Sequence, residues 1–248
     1  MSMGQCIAVV SGKGGTGKTS LVSGAGAALA RMGKRVLCLD CDAGLRNLDL
    51  TLGLSDQALM DYSDVIRGRC PLEGAAVEHP SLKGLYLLTA PARWTPTVTE
   101  AEMAALLERV REAYDVCLLD APAGLGPGLG LAACGADRCV VVTTADATSL
   151  RDAQHTVMEL NRFPAGSMHL VVNRVSRRLL RDLHATIDDA MDQAGLPLLG
   201  VVPEDPAVPL HLNQGLPLPA EGTRGAAAAY RNIARRLLGE RVPLGRVK

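Results

Sequence analysis

Short apolar runs alternate along the chain with longer stretches of helical periodicity, almost from end to end. The runs at 5–10, 35–39, 84–88, 115–119, 138–143, 168–172 and 198–202 are mostly Val, Ile, Leu, Ala and Cys. That is the composition of strands buried on both faces, which have no solvent side to alternate with. Between and after them, apolar residues recur at helical spacing over 18–32, 99–113, 148–161, 180–194 and 223–239. This pattern predicts helices that each lay one apolar stripe on a sheet. The repeated strand–helix–strand order predicts the α/β class, a mainly parallel twisted sheet with helices on both faces. Pro- and Gly-rich stretches at 121–130 and 203–219 fall just past the carboxyl ends of two predicted strands, where open α/β sheets carry their ligand loops.

A length of 248 residues suits one such domain, so 1–248 is expected to fold as a unit, with 240–248 as a tail. Apolar residues make up 48% and aromatics only 2%. Closely packed Gly- and Ala-rich helices fit that composition, and disorder does not. Lys plus Arg equals Asp plus Glu at 26 each, so no strong field draws the whole molecule to nucleic acid or an anionic membrane. No run of about 18 apolar residues occurs, and the first strand begins too early to leave room for a signal peptide; a cytoplasmic location is expected. The seven cysteines sit mostly inside apolar runs and read as reduced core thiols. Cys38 and Cys41 have the spacing of a metal or redox pair, but residues three apart on a strand point to opposite faces, which discounts that use. His79, His155, His169, His184 and His211 show no ligand spacing, and Trp94 reads as a hydrophobic lid.

The first strand runs directly into Ser11-Gly12-Lys13-Gly14-Gly15-Thr16-Gly17-Lys18-Thr19. Gly12, Gly17, Lys18 and Thr19 have the Walker A spacing, in the required context of a strand before and an amphipathic helix after. Glycines let the backbone wrap so that amide N–H groups face a phosphate, and the following helix adds its positive end. Lys18 is placed to neutralise β- and γ-phosphate charge, and the Thr19 hydroxyl to ligate Mg²⁺. Two further predicted strands stop at carboxylates, Asp40 and Asp120, each placed to hold Mg²⁺ through water or to orient an attacking water. Arg46 and Asp49 read as a solvated loop pair.

Lys13 exceeds what a Walker A loop needs. With it, the stretch 13–19 resembles the deviant Walker A of the MinD/ParA family of P-loop ATPases. The run Gly44-Leu45-Arg46-Asn47-Leu48-Asp49 and segments such as Gly200-Val201-Val202-Pro203-Glu204-Asp205 resemble its MinD side. The resemblance implies a P-loop NTPase fold, ATP and Mg²⁺ as cofactors, slow partner-stimulated hydrolysis, and a role in placing the division septum. It implies nucleotide contacts from Gly12, Lys13, Gly14, Gly15, Thr16, Gly17, Lys18, Thr19, Ser20 and Gly124, with metal contacts from Thr19, Asp40 and Asp120. Lys13, Lys18 and Asp42 are implied as catalytic: Lys13 reaching the partner's phosphates in an ATP-dependent homodimer, and Asp42 positioning the hydrolytic water. Asn173, Arg174, Pro203, Glu204 and Asp205 are implied to hold the adenine.

An effector like MinC and an activator like MinE, or its substitute, follow from the same resemblance, as does contact with the cytoplasmic face of a membrane through a basic amphipathic C-terminal helix. Here the sequence departs from the pattern. Tyr230, Ile233, Ala234, Leu237 and Leu238 give the last predicted helix an apolar face expected on the core, and Pro243 and Gly245 oppose its continuation, so weak membrane affinity is expected. A DNA-partitioning ATPase would need a basic patch, a flagellar-placement relative an N-terminal extension, and an iron–sulfur carrier a late cysteine pair. The chain has zero net charge, starts its first strand at once and has no cysteine after Cys139.

Overall fold

The computed structural model describes residues 3–92, 98–218 and 224–244; Trp94 and the last four residues of the tail lie outside them. One eight-stranded sheet organises the chain, in the order β3-β4-β2-β5-β1-β6-β7-β8. Its strands are β1 Gln5–Val10, β2 Val36–Asp40, β3 Val77–Glu78, β4 Leu85–Leu88, β5 Val116–Asp120, β6 Arg138–Thr143, β7 Met168–Val175 and β8 Leu198–Pro203. Every pairing is parallel except β3 with β4. All seven expected strands are present. The additional β3 has two residues, too few to show a period.

The helices are α1 Lys18–Arg31, α2 Asn47–Thr51, α3 Tyr62–Ile66, α4 Leu72–Ala75, α5 Glu100–Ala113, α6 Pro127–Ala133, α7 Ala147–Glu159, α8 Arg177–Asp182, α9 Ile187–Ala194, α10 Ala207–Asn213 and α11 Gly225–Leu237. The helix expected over 180–194 is two helices. His184 takes a left-handed φ of 50°, and Thr186 starts α9 afresh by exchanging hydrogen bonds with Asp189 in a capping box. An apolar stripe that continues across such a break hides it from a periodicity argument.

Alternating residues of each strand feed two cores, one per sheet face. On β1, Cys6, Ala8 and Val10 pack with α5, α6, α7 and α9, while Ile7 and Val9 pack with α1 and α11. Cys38 lies in the second core and Cys41 in the first, on opposite sides of the sheet as the strand period requires. Helix α11 docks through Tyr230, Ile233, Ala234 and Leu237, all buried, with Leu238 packed beside them. Burying four such side chains, at about 1.5–3 kcal/mol for each large one, holds that helix on the sheet.

The central position of β1, between β5 and β6, decides where the site forms. Chain leaving its carboxyl end meets the ends of β2 and β5, whose terminal residues Asp40 and Asp120 are register partners. Open α/β sheets bind ligands at such a crevice.

Candidate active site

The loop from Ser11 to Gly17 joins β1 to α1. Gly17 precedes the helix with φ 96° and ψ 32°, a left-handed conformation that side chains resist and glycine adopts freely. The first turn, Lys18-Thr19-Ser20, carries no carboxylate to compete for the helix's positive end. Lys18 is 8% exposed, and its Nζ donates to Ser11 Oγ at 2.8 Å, which donates in turn to the Lys13 carbonyl at 2.7 Å. Burial lowers the Lys18 pKa, opposed by the charges of Asp120 and Asp42.

Thr19 Oγ1 donates to Asp120 Oδ2 at 2.6 Å. Giving its proton to the carboxylate leaves the hydroxyl lone pairs available to a cation. The other carboxylate oxygen, Asp120 Oδ1, is buried with no hydrogen-bond partner. A buried carboxylate oxygen left unpaired is costly, and a cation or its water would satisfy it. Burial pushes the Asp120 pKa up to about 7 against the Thr19 bond, and Asp40 adds to the rise. Among the described residues no group of three or more His, Cys, Asp or Glu could hold a metal. Thr19 and Asp120 therefore fit a Mg²⁺ that draws its remaining ligands from phosphates and water.

Asp40 stands beside Asp120 but has both oxygens taken. Oδ1 accepts from the Asp42 amide at 2.8 Å and Oδ2 from the Leu48 amide at 3.2 Å, while burial pushes its pKa up to about 6. In this geometry it shapes the segment 42–48 that presents Asp42, beside the place expected of it near a water-held Mg²⁺. Asp42 is half-buried; burial raises its pKa and Lys18 lowers it. The pair Arg46–Asp49 is corrected. Asp49 is buried, and Arg46 donates both to it and to the Ala58 carbonyl at 3.1 Å each, so this is a partly buried staple under the loop. The two residues looked like a solvent-facing loop pair, and helix α2, too short to signal itself, turned Asp49 inward.

Gly124, φ 89°, donates its amide to the Ser11 carbonyl at 3.2 Å, bringing the 121–126 loop against the phosphate loop. Lys13 Nζ lies 3.2 Å from Asp146 Oδ1 and 3.0 Å from Thr148 Oγ1. Burial works to raise the Asp146 pKa, but hydrogen bonds from Thr144, Thr148 and Ser149 outweigh it and hold the carboxyl far below the usual range. Asp146 also caps α7. No signal singled it out beforehand, although Asp-Ala-Thr-Ser before a helical stripe is an N-cap pattern.

The expected base loops converge. Gly15, Gly17, Ser20, Asn173, Arg174, Pro203, Glu204 and Asp205 line one cleft of about 200 Å³, with Val208, Leu212 and Tyr230. Asn173, 4% exposed, donates Nδ2 to the Thr16 carbonyl at 2.7 Å and accepts from the Arg174 amide at 2.9 Å, so its amide also secures the phosphate loop. Arg174 pairs with Glu204, Nε to Oε2 3.0 Å. Asp205 accepts from the amides of Ala207 and Ala226 at 3.0 and 2.9 Å, tying α10 and α11 to the cleft.

Comparison with known proteins agrees with the fold. Residues 7–218 match the model of the CobQ/CobB/MinD/ParA nucleotide binding domain. The septum site-determining protein MinD of Bacillus subtilis is 38% identical, over 98% of this chain and 92% of that protein. Among solved structures, the MinC:MinD cell division complex of Aquifex aeolicus superposes with a TM-score of 0.90 at 33% identity, covering 98% of this chain and 99% of that one. MinD of Pyrococcus horikoshii, complexed with Mg-ADP, superposes at 0.82 with 30% identity, covering 95% and 96%. The chain belongs to the CobQ/CobB/MinD/ParA nucleotide-binding family, and within it to the MinD-type ATPases of division-site placement.

Proposed function

We propose that this chain binds Mg·ATP in the phosphate loop, closes into a homodimer in that state, and hydrolyses ATP with Asp42 orienting the water. The observation that carries the reading is the Thr19–Asp120 pair with the buried, unpartnered oxygen of Asp120, one residue from the buried amine of Lys18. A bound Mg²⁺ would neutralise charge on the β- and γ-phosphates. The protein does the rest: Lys18 and the loop amides grip the phosphates, Gly124 sits where its N–H can turn to the γ-phosphate, and the cleft between Asn173 and Asp205 receives the adenine.

Lys13 is the dimer element of this proposal. Its pair with Asp146 leaves the two side chains 37% and 42% exposed, and such pairs are worth about 0–1 kcal/mol. A partner's γ-phosphate, approached in a site closed to water, outcompetes that tie. Hydrolysis then follows association. The partners proposed are an effector of the MinC kind, as in the Aquifex aeolicus complex, and an activator of the MinE kind or a substitute. Residues 1–248 are read as one domain, an assignment supported by the single sheet that spans the described residues.

Membrane contact is proposed to be weak. No described helix is long and apolar enough to cross a membrane, and Arg236 ties the chain after α11 back by donating to the Val242 and Pro243 carbonyls at 3.0 and 2.9 Å. Asp42→Ala tests the catalytic core of the proposal. It should accumulate an ATP-bound dimer by light scattering while turnover falls by about 10² or more, the scale of a lost general base or water-positioning group. Normal turnover in that variant would remove Asp42 from the mechanism.

A further inference from the structure

The cleft assigned to the base has a wall belonging to the C-terminal helix. Tyr230 of α11 lines that cleft, and the same residue lines a second pocket, about 150 Å³, between α1 and α11, bordered by Ala28, Arg31, Met32, Leu218, Ala227 and Arg231. The ring therefore stands between two spaces. It is 2% exposed and seated on Gly24 of α1, where a Cβ would come within 2.2 Å of ring Cδ2 and 2.7 Å of Cγ. Only glycine admits it there. The start of α11 is fixed to the base loop by the Asp205 carboxylate, which accepts from the Ala226 amide, so the ring is held from below by α1 and from its own helix by the cleft it walls.

We propose that Tyr230 is a specificity-determining residue for the nucleotide, its ring closing the inner end of the base cleft and setting the size of base that fits. The inference rests on reading the cleft as the adenine site. Two features support a steric role over a purely structural one. Tyr230 packs in the core against α1 and also borders both spaces, and the second space is about the size that holds a benzene in an engineered apolar cavity. Shortening this side chain joins the two spaces and creates room for an aromatic group carried on the base.

The test compares equilibrium Kd values of the full-length protein for ADP, N6-benzyl-ADP and 2-phenethylthio-ADP, which carry the aromatic group on different edges of the base. Wild type should disfavour both analogues. Tyr230→Leu and Tyr230→Ala should raise the affinity of at least one analogue relative to ADP by about tenfold or more, the discrimination expected of one hydrophobic group in a fitted pocket. Tyr230→Phe should leave the ratio at its wild-type value. Because the ratio is taken within one preparation, partial unfolding does not move it, and if the Ala variant fails to fold the Leu variant decides. Unchanged ratios for both analogues, in a variant that still binds ADP, overturn the proposal. A wild-type Kd for ADP no lower than that for pyrophosphate sinks the base-cleft reading itself, a separate failure visible before any variant is made.

Discussion

The two lysines of the phosphate loop, five residues apart, are held in opposite ways. Lys18 is buried, hydrogen-bonded to Ser11 and flanked by the Thr19–Asp120 pair; Lys13 lies on the surface on an exposed aspartate. Buried, preorganised charge is available to chemistry without reorganisation, whereas an exposed ion pair can be exchanged at small cost. One lysine belongs to the binding site of the single chain. The other, in the function proposed, is left to answer to a second copy. Under that proposal, where a charge sits relative to solvent separates nucleotide binding from association within one loop.

The largest effect should come from the buried side. Lys18→Ala should abolish measurable hydrolysis, with a loss of at least about 10²-fold, and should weaken ADP binding in calorimetry as well, because its charge serves ground state and transition state alike. Lys13→Ala sharpens the contrast. Its ADP affinity should stay within about threefold of wild type, since an exposed side chain contributes little to the isolated site, while ATP-dependent dimers vanish in light scattering and stimulated hydrolysis with them. Dimers of wild-type yield would refute the trans role of Lys13.

A pH series separates the two sides again. Asp120, pushed up to about 7, and Asp40, up to about 6, hold protons more tightly folded than unfolded. Their contribution to the stability of the nucleotide-free protein is therefore complete below the ordinary carboxylate range near 4 and is lost as pH rises through about 6 to 7. Mg·ADP needs the ionised carboxylate, so the thermal shift it confers should grow from pH 5.5 to 7.5, and Asp120→Asn should flatten most of that slope. A shift independent of pH in the wild type would contradict the metal assignment of Asp120. The smallest effect belongs to Asp146→Asn, which keeps a capping side chain for α7 but removes the charge facing Lys13. The ATP concentration giving half-maximal dimer should fall by about two- to fivefold, the range of a surface pair, with some loss of monomer stability at neutral pH because the ionised carboxylate that accepts from Thr144, Thr148 and Ser149 is gone.

The sheet was readable because each long strand is buried on both faces and announces itself as an apolar run. The short elements were not. Helices α2, α3 and α4 and the two-residue β3 span two to five residues each, too few to carry a period of their own. At the site, glycine spacing and strand-end carboxylates located Lys18, Thr19 and Asp120 because those positions follow from the local chain path. Resemblance located Asn173, Arg174 and Pro203–Asp205, and the fold brings them to one cleft. Direction was harder to read than position. Sequence could not show that Asp40 gives both oxygens to backbone amides, that Asp49 turns inward to Arg46, or that Asp146 lies under Lys13, since each depends on how a loop folds over its neighbours.

The cysteines packed into the two cores carry a chemical consequence. Cys41 adjoins Asp40 in the chain and Cys117 shares a strand with Asp120, yet burial pushes both thiols well above their usual range, and that of Cys139 up to about 12. Thiolate is the form that oxidants and electrophiles attack, and almost none of it exists here at neutral pH. The strands that end in Asp40 and Asp120 thus present little thiolate to oxidants; Cys70 and Cys134 are raised as well, but they are partly exposed, so mild oxidation should reach these two first, both outside the phosphate loop.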